Sequence, residues 1–262
     1  MIFCIDIGNS NIKYAIFDGD EMKASFRVTS QRNATSDEYG VIVRDLLKSA
    51  DIPREKISGV IMSSVIPSLN YTMEHMCRDY LGLTPLIVGP GVKTGLNVKA
   101  DNPREVGADI IVDSVSAIHR YGKGTPIICI DFGTATTFDI ISEKGELIGV
   151  VISPGIKASL DSLVNNTASL PNIELETPPS IIAKNTVNCM QAGIVYGFAG
   201  LVDNIVKKIK EELNRPDAKV IATGGMGYII YKHASCIDKF DRMLTLNGLR
   251  IIYEMNSRVK ND

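Results

Sequence analysis

One five-residue pattern occurs twice in this chain. Cys4-Ile5-Asp6-Ile7-Gly8 returns as Cys129-Ile130-Asp131-Phe132-Gly133, 125 residues later in a chain of 262. Each copy is a short, apolar, β-branched run, which reads as a buried strand closed by turn residues. The sequels correspond too. Asn9-Ser10-Asn11 leads into an apolar run to Phe17 and then Asp18-Gly19-Asp20, whereas Thr134-Ala135-Thr136-Thr137 leads into a run to Ile141 and then Glu143-Lys144-Gly145-Glu146. A strand–turn–strand–turn–strand unit repeated at half the chain length constrains the fold to two like domains. With an aspartate at the first turn of each, the two are expected to face a shared cleft. The expected class is α/β, with duplicated domains over 1–121 and 122–262. Each is built on a mixed sheet that starts in a three-stranded meander, and the seam is expected at Gly122-Lys123-Gly124.

Helical periodicity fills the intervals. Thr35-Ser36-Asp37-Glu38 reads as a helix start, with Val41, Ile42, Leu46 and Leu47 as its apolar face. Pro67 opens a helix to about Tyr80, Pro103 or Arg104 one to about Tyr121, and Pro154 one to about Leu163. From Asn188 to about Leu213 runs a long helix carrying Ala192, Gly193, Gly197, Ala199 and Gly200. Such small residues suit close packing on another backbone, within the chain or in a second copy. The last helix is expected from Thr245 to about Met255.

Composition excludes several classes. The formal net charge is −2 with no basic block, which argues against nucleic-acid and membrane-surface binding. No uninterrupted apolar run of about 18 residues is read as a membrane span, and the N-terminal stretch lacks the pattern of a secretory signal. A cytoplasmic protein is expected. Its five cysteines have no ligand-like spacing, so they read as reduced thiols, mostly buried. Three scattered histidines give no basis for a zinc site or a Ser-His-Asp arrangement.

The aspartate turns carry the chemistry. Backbone N–H groups of a tight polar turn can cradle phosphate oxygens. Gly8 permits a positive φ and close backbone approach, and Lys13 brings a positive charge. Asp6 cannot bind phosphate itself; it would hold a cation that bridges phosphates. Asp131 and Thr134 offer a second carboxylate and a hydroxyl. A single Asp-x-Gly is most simply a strand-end turn. Two copies, with Gly224-Gly225 after a further buried strand, point to a nucleotide.

The duplicated hairpin and the late Thr223-Gly224-Gly225 resemble the actin, hexokinase and Hsp70 ATPase superfamily, with ribonuclease H-like domains. More narrowly the chain resembles the type III pantothenate kinases. Five motifs in the family's order carry the resemblance: Asp6 to Asn11; Asp101-Asn102-Pro103-Arg104-Glu105-Val106-Gly107-Ala108-Asp109; Asp131 to Thr137; Ser153-Pro154-Gly155; and Asn185-Thr186 with Met190-Gln191-Ala192-Gly193. The resemblance implies that ATP, with Mg2+, is held by Asp6, Ile7, Gly8, Asn9, Ser10, Asn11, Ile12 and Lys13 and contacted by Thr134. It implies Asp109 as the general base, and Gly107, Ala108, Asp109, Ile110 and Thr186 as the pantothenate pocket. Asp131 would hold a monovalent cation, potassium or ammonium, and the enzyme would be a homodimer.

Two positions depart from the family pattern. Ile110 stands where an arginine usually follows the base, and Ala100 stands where a tyrosine usually precedes the Asn-Pro pair. Arginine to isoleucine removes a planar donor fork, whose charge-assisted bonds are each worth roughly 1.5–3 kcal/mol. The leading reading is pantothenate phosphorylation to 4′-phosphopantothenate, the first step of coenzyme A biosynthesis. A paralogue acting on another hydroxyl acceptor and a non-catalytic nucleotide-binding regulator are the alternatives. Lys99 and Arg104 are the candidates to replace the missing guanidinium.

Overall fold

The computed structural model describes residues 1–122 and 124–257. Lys123 of the expected seam lies outside the described residues, as do the last five residues of the second expected half. By internal contacts the chain divides into two compact units. The first comprises Met1–Leu96, Asn102–Ser116 and the C-terminal stretch from Leu244; the second comprises Asn97–Asp101 and Ala117–Met243.

In the first unit, β1 (Ile2–Ile7), β2 (Asn11–Asp18) and β3 (Glu21–Thr29) form an antiparallel meander, and β4 (Gly59–Ser64) and β5 (Leu86–Ile87) extend it in parallel. The sheet order is β3-β2-β1-β4-β5. In the second unit, β7 (Ile127–Phe132), β8 (Ala135–Ile141) and β9 (Glu146–Pro154) repeat the meander. There β10 (Lys219–Gly224) and β11 (Lys239–Phe240) are the parallel additions, and β6 (Asn97–Val98) pairs with the start of β9. The order β9-β8-β7-β10-β11 repeats the first sheet strand for strand. The duplication in the sequence is therefore one of topology, in the mixed α/β class expected. Both meanders also shift register near the far end of the central hairpin, between Ile16 and Phe17 and between Ile140 and Ile141.

Strand pleat decides what each sheet face carries. Phe3, Ile5 and Ile7 join Ile12, Tyr14, Val60 and Met62 in one cluster under α1 (Ser36–Ser49) and α2 (Pro67–Leu81). Fully burying a side chain of this size contributes about 1.5–3 kcal/mol. The alternate residues Cys4 and Asp6 point to the opposite face. There α7 (Leu244–Ser257) packs against β1, with Tyr253 on Gly59 and the Arg250 guanidinium 5.7 Å from the Phe17 ring centre. Arg250 is buried and spans Asp20 at 2.5 Å and Glu254 at 2.7 Å. These contacts bring a helix from the end of the chain into the first unit, whereas a division of the sequence at residue 121 leaves it in the second.

The helices differ from expectation in instructive ways. Thr35 caps α1 through a reciprocal box with Glu38, as its sequence suggests. Its buried face is Tyr39, Val43 and Leu47, while Val41 is exposed. Pro103–Glu105 is a separate 3-10 turn, and α3 (Ala108–Tyr121) begins only after Gly107, whose carbonyl takes the first helical bond from Ile111. The strand β9 runs through Pro154, so α4 starts later (Ile156–Asn165). Asn185 caps α5 (Thr186–Leu213) by accepting from the Asn188 amide, which moves its start forward to Thr186. Neither the short α6 (Gly227–Tyr231) nor β11 is anticipated by the sequence.

Contrary to the expectation from the sequence, α5 is long and apolar enough to pass as a membrane span by length and composition. Its buried residues, among them Ile194, Phe198, Val202 and Val206, belong to the core of the second unit with Ile128, Ile130, Phe138 and Val220. On that evidence it is a core helix.

Gly248 of α7 lies against the backbone of α3, where an added Cβ would strike the Val112 carbonyl oxygen. The substitution Gly248→Ala is expected to destabilise the protein by about 1–3 kcal/mol, the usual cost of overpacking. Urea denaturation measures this; an unchanged midpoint would contradict the close α7–α3 packing.

Candidate active site

The first site residue is fixed by strand register. Asp6 pairs with Lys13 of β2 on one side and with Ser63 of β4 on the other. Side chains directly opposite one another on a sheet are neighbours, so the three form a row across the strand ends. Lys13 Nζ is 3.1 Å from Asp6 Oδ2, and Ser63 Oγ donates to Asp6 Oδ1 at 2.9 Å. A polar group only 7% exposed needs such partners to offset its lost hydration. Ser63 was missed from the sequence. Its signal was available: a polar pair, Ser63-Ser64, ending an otherwise apolar strand that runs parallel to the Asp6 strand.

The turn after Asp6 is tight. The Gly8 amide donates to the Asn11 carbonyl at 3.0 Å, and a Cβ at Gly8 would come within 3.1 Å of that oxygen. Gly8 is not among the residues with positive φ. Close approach, and not a left-handed backbone, is what calls for glycine here. Asn9 and Ser10 are exposed, and Asn11 and Lys13 half-buried. The side chains of Ile7 and Ile12 belong to the core under α1 and α2, so only their backbone is open to a ligand.

Asp109 stands in the first turn of α3, in the same unit. Its Oδ1 accepts from the Ile110 amide at 2.9 Å, and it lies so close to Gly107 that a Cβ there would collide with it. Burial pushes the Asp109 carboxyl above the ordinary aspartate range. The Ile110 amide opposes this; the nearby Asp6 charge adds to the rise and the Lys13 charge offsets part of it. The structure therefore brings Asp6, Lys13 and Asp109 into one electrostatic neighbourhood.

The second unit carries the counterpart row. Asp131 pairs in register with Thr137 of β8 and Thr223 of β10. Hydroxyl residues occupy the positions that Lys13 and Ser63 hold beside Asp6. The Asp131 carboxylate is packed by glycines. A Cβ would lie 3.0 Å from Oδ2 at Gly133, and at Gly224 it would lie 2.7 Å from Oδ1 and 2.5 Å from the Phe132 carbonyl oxygen. Gly224 also has φ +103°, so both backbone and space require glycine there. Gly155 is packed on the carbonyls of Gly133 and Thr134. Thr134 is exposed on the β7–β8 turn, and Thr186 is exposed at the start of α5.

The two departures in the pocket motif fall in different units, Ile110 in the first and Ala100 in the second. Both are half-buried. Lys99 is 3.5 Å from Glu146, which also accepts from Asn97 at 2.8 Å. Arg104 is exposed and forms no ion pair among the described residues.

The profile of the type III pantothenate kinases matches residues 2–208. The chain belongs to the type III pantothenate kinase family. Its activity is the ATP-dependent phosphorylation of pantothenate in coenzyme A biosynthesis, which makes the chain a phosphotransferase. Solved structures show the same fold at low identity. A Sinorhizobium meliloti protein described as a 2-dehydro-3-deoxygalactonokinase has TM-score 0.65 and 10% identity, over 97% of this chain and 96% of that one. A Campylobacter jejuni protein assigned to the Baf family of transcriptional activators has TM-score 0.57 and 16% identity, over 98% and 99%. The activator of the 2-hydroxyisocaproyl-CoA dehydratase from Clostridium difficile, solved with ADPNP, has TM-score 0.55 and 14% identity, over 100% and 97%. All are actin-like ATPase or sugar-kinase folds.

In this kinase the donor sets suit hard cations. Among the described residues no group of three or more His, Cys, Asp or Glu could hold a metal. Mg2+ is commonly held by one or two carboxylates plus substrate phosphates, and Asp6 offers one carboxylate beside the Gly8–Asn11 turn. The Asp131 carboxylate, packed by Gly133 and Gly224, offers oxygen ligands that a cation could take.

The raised carboxyl of Asp109 has a consequence for stability. With its folded pKa above the unfolded one, it makes the folded state lose stability as pH rises from the ordinary aspartate range through the raised value. Asp109→Asn, which keeps an oxygen for the Ile110 amide, is expected to raise Tm at neutral pH, with the gain vanishing below the ordinary aspartate range. Thermal melts of both proteins across that range test it; a lower Tm for the variant at neutral pH would contradict the burial argument.

Proposed function

We propose that the phosphoryl transfer runs through the first-unit constellation, with Asp109 as general base. The observation that carries this reading is the half-buried carboxyl of Asp109 at a helix start, whose basicity desolvation raises most and the Asp6 charge raises further. A base with a raised pKa accepts a proton more readily near neutral pH. In the proposed reaction Asp109 takes the proton from the primary hydroxyl of pantothenate. That oxygen bonds to the γ-phosphorus of ATP, the bond to the β,γ-bridging oxygen breaks, and ADP leaves. The backbone of the turn from Gly8 to Asn11 holds phosphate oxygens, Lys13 adds charge at its edge, and Thr134 contacts ATP. Gly107, Ala108 and Ile110, at the start of α3 beside Asp109, line the acceptor pocket.

Mg2+ would be held by Asp6, directly or through water, and would offset phosphate charge. Potassium or ammonium would be held by Asp131, whose cross-strand neighbours are hydroxyls. The protein is proposed to work in the cytoplasm as a homodimer. In support of the dimer, Gly193, Gly197 and Gly200 of α5 are exposed, and an added Cβ at each meets nothing within 4 Å. In contrast, Ala192 and Ala199 face the core. In the same unit Ile152, Ile181 and Ile182 are 68%, 65% and 80% exposed. A side-chain-free helix stripe and exposed isoleucines suit an interface between two copies.

A coupled ADP-release assay with Mg2+ and potassium or ammonium tests the chemistry. Pantothenate-dependent turnover is expected, and Asp109→Asn should lower kcat by about 10^2- to 10^4-fold, the usual contribution of a general base. Turnover with other hydroxyl acceptors but not pantothenate, in folded protein, would sink the acceptor assignment; full activity in Asp109→Asn would remove the base. For the assembly, light scattering should give twice the chain mass, and Gly197→Arg should halve it. A monomeric wild-type protein would overturn the dimer.

A further inference from the structure

The constellation described so far is short of positive charge. Lys13 lies 3.1 Å from Asp6, so its charge is largely committed. Asp109 adds a second carboxylate to the same neighbourhood. Asp6, Lys13 and Asp109 together carry about −1 when ionised, and a triphosphate arriving there adds several more negative charges. Mg2+ relieves part of this. A fixed cation on the protein side of the turn would strengthen polyphosphate binding.

Arg32 is in position to supply it. Its Nη2 donates to Asn9 Oδ1, at the tip of the turn, at 3.0 Å. The guanidinium is exposed and forms no ion pair with an acid among the described residues. It is also rigidly presented. Ser30 is bonded to the turn twice, from its amide to the Ser10 carbonyl at 3.1 Å and from its hydroxyl to the Gly8 carbonyl at 2.6 Å. Gln31 is clamped by the buried Tyr39, whose hydroxyl accepts from the Gln31 amide at 2.9 Å and donates to its carbonyl at 3.0 Å. Arg32 then opens the turn closed by the Ala34 amide on the Gln31 carbonyl at 3.1 Å. An arginine whose backbone is bolted on both sides loses little further freedom on engaging an anion, and its planar fork matches phosphate oxygens.

We infer that Arg32 is a polyphosphate-binding residue, donating to ATP phosphate oxygens at the Gly8–Asn11 turn and holding Asn9 in place. This rests on the reading of Asp6 to Lys13 as the phosphate loop, so the test separates the two. With the full-length protein, affinities for adenosine, ADP and a non-hydrolysable ATP analogue are measured by calorimetry in the presence of Mg2+, alongside KM and kcat. Arg32→Gln is expected to weaken ADP and the ATP analogue by about 10- to 100-fold, as for loss of one charge-assisted bond. Adenosine affinity and KM for pantothenate should stay within about twofold, and Tm should be unchanged. Arg32→Lys should recover part of the loss, because charge is kept and the fork is not.

Asp6→Asn, which keeps an acceptor for Ser63, serves as the control for the loop. If Asp6→Asn weakens nucleotide binding and Arg32→Gln does not, the inference about Arg32 is wrong and the loop reading stands. Should neither variant change it, the loop reading itself fails and takes this inference with it. If adenosine affinity or Tm falls along with ADP affinity, Arg32 is a structural residue and the inference is overturned.

Discussion

Asp6 is an almost wholly buried acid held between two partners, Lys13 and Ser63, and that row organises the first unit. The pleat sends it off the hydrophobic face shared by Phe3, Ile5 and Ile7. Parallel pairing with β4 then brings Ser63 beside it, and antiparallel pairing with β2 brings Lys13. A register slip of one residue in either strand would break the row and turn apolar side chains outward. The hydrophobic alternation that secures the core is thus what holds the polar row in line. Asp109 is placed by a separate device, the delayed start of α3 at Gly107, where lack of a Cβ lets the carboxylate fold back onto the helix end.

Duplication supplied the same scaffold twice, and the side chains set in the row distinguish the copies. Lys13–Asp6–Ser63 places an ammonium against its carboxylate, whereas Thr137–Asp131–Thr223 places two hydroxyl residues beside the other. The first copy thus pairs its carboxylate with a fixed positive charge, and the second surrounds its carboxylate with neutral hydroxyl residues. Gly224 sharpens the contrast. Its positive φ and its approach to Phe132 and Asp131 allow β10 to close on the second carboxylate.

Much of this was legible in the residues. The doubled Cys-Ile-Asp-x-Gly pattern implied two meanders, and the strand order bears this out because strand period and turn chemistry are local properties. Capping by Thr35 and Glu38 was legible for the same reason. What escaped depended on tertiary placement. Pro103 promised a helix start, but it opens a 3-10 turn over Pro103–Glu105, and the α-helical ladder begins only after Gly107. Val41 looked like a core residue of α1, yet the helix is rotated to bury Tyr39, whose hydroxyl clamps Gln31. Ser63 and Arg32 join the site through partners 57 and 23 residues away, beyond any local signal. The apolar run of α5 looked interrupted in the sequence, although on length and composition it equals a membrane span.

Ile110 bears on the charge state of the neighbouring Asp109 carboxyl. Where the family pattern has arginine, a guanidinium next to Asp109 would favour the ionised carboxylate and lower its pKa. Isoleucine removes that charge and adds apolar surface beside the carboxyl, leaving burial as the leading cause of its raised value. A carboxylate of higher pKa is a stronger base once ionised, while a smaller fraction of it is ionised at a given pH. Lys99 does not restore the lost charge freely, being 3.5 Å from Glu146. At Asp109 burial and the Asp6 charge therefore act together to raise the carboxyl, and the Lys13 charge tempers it.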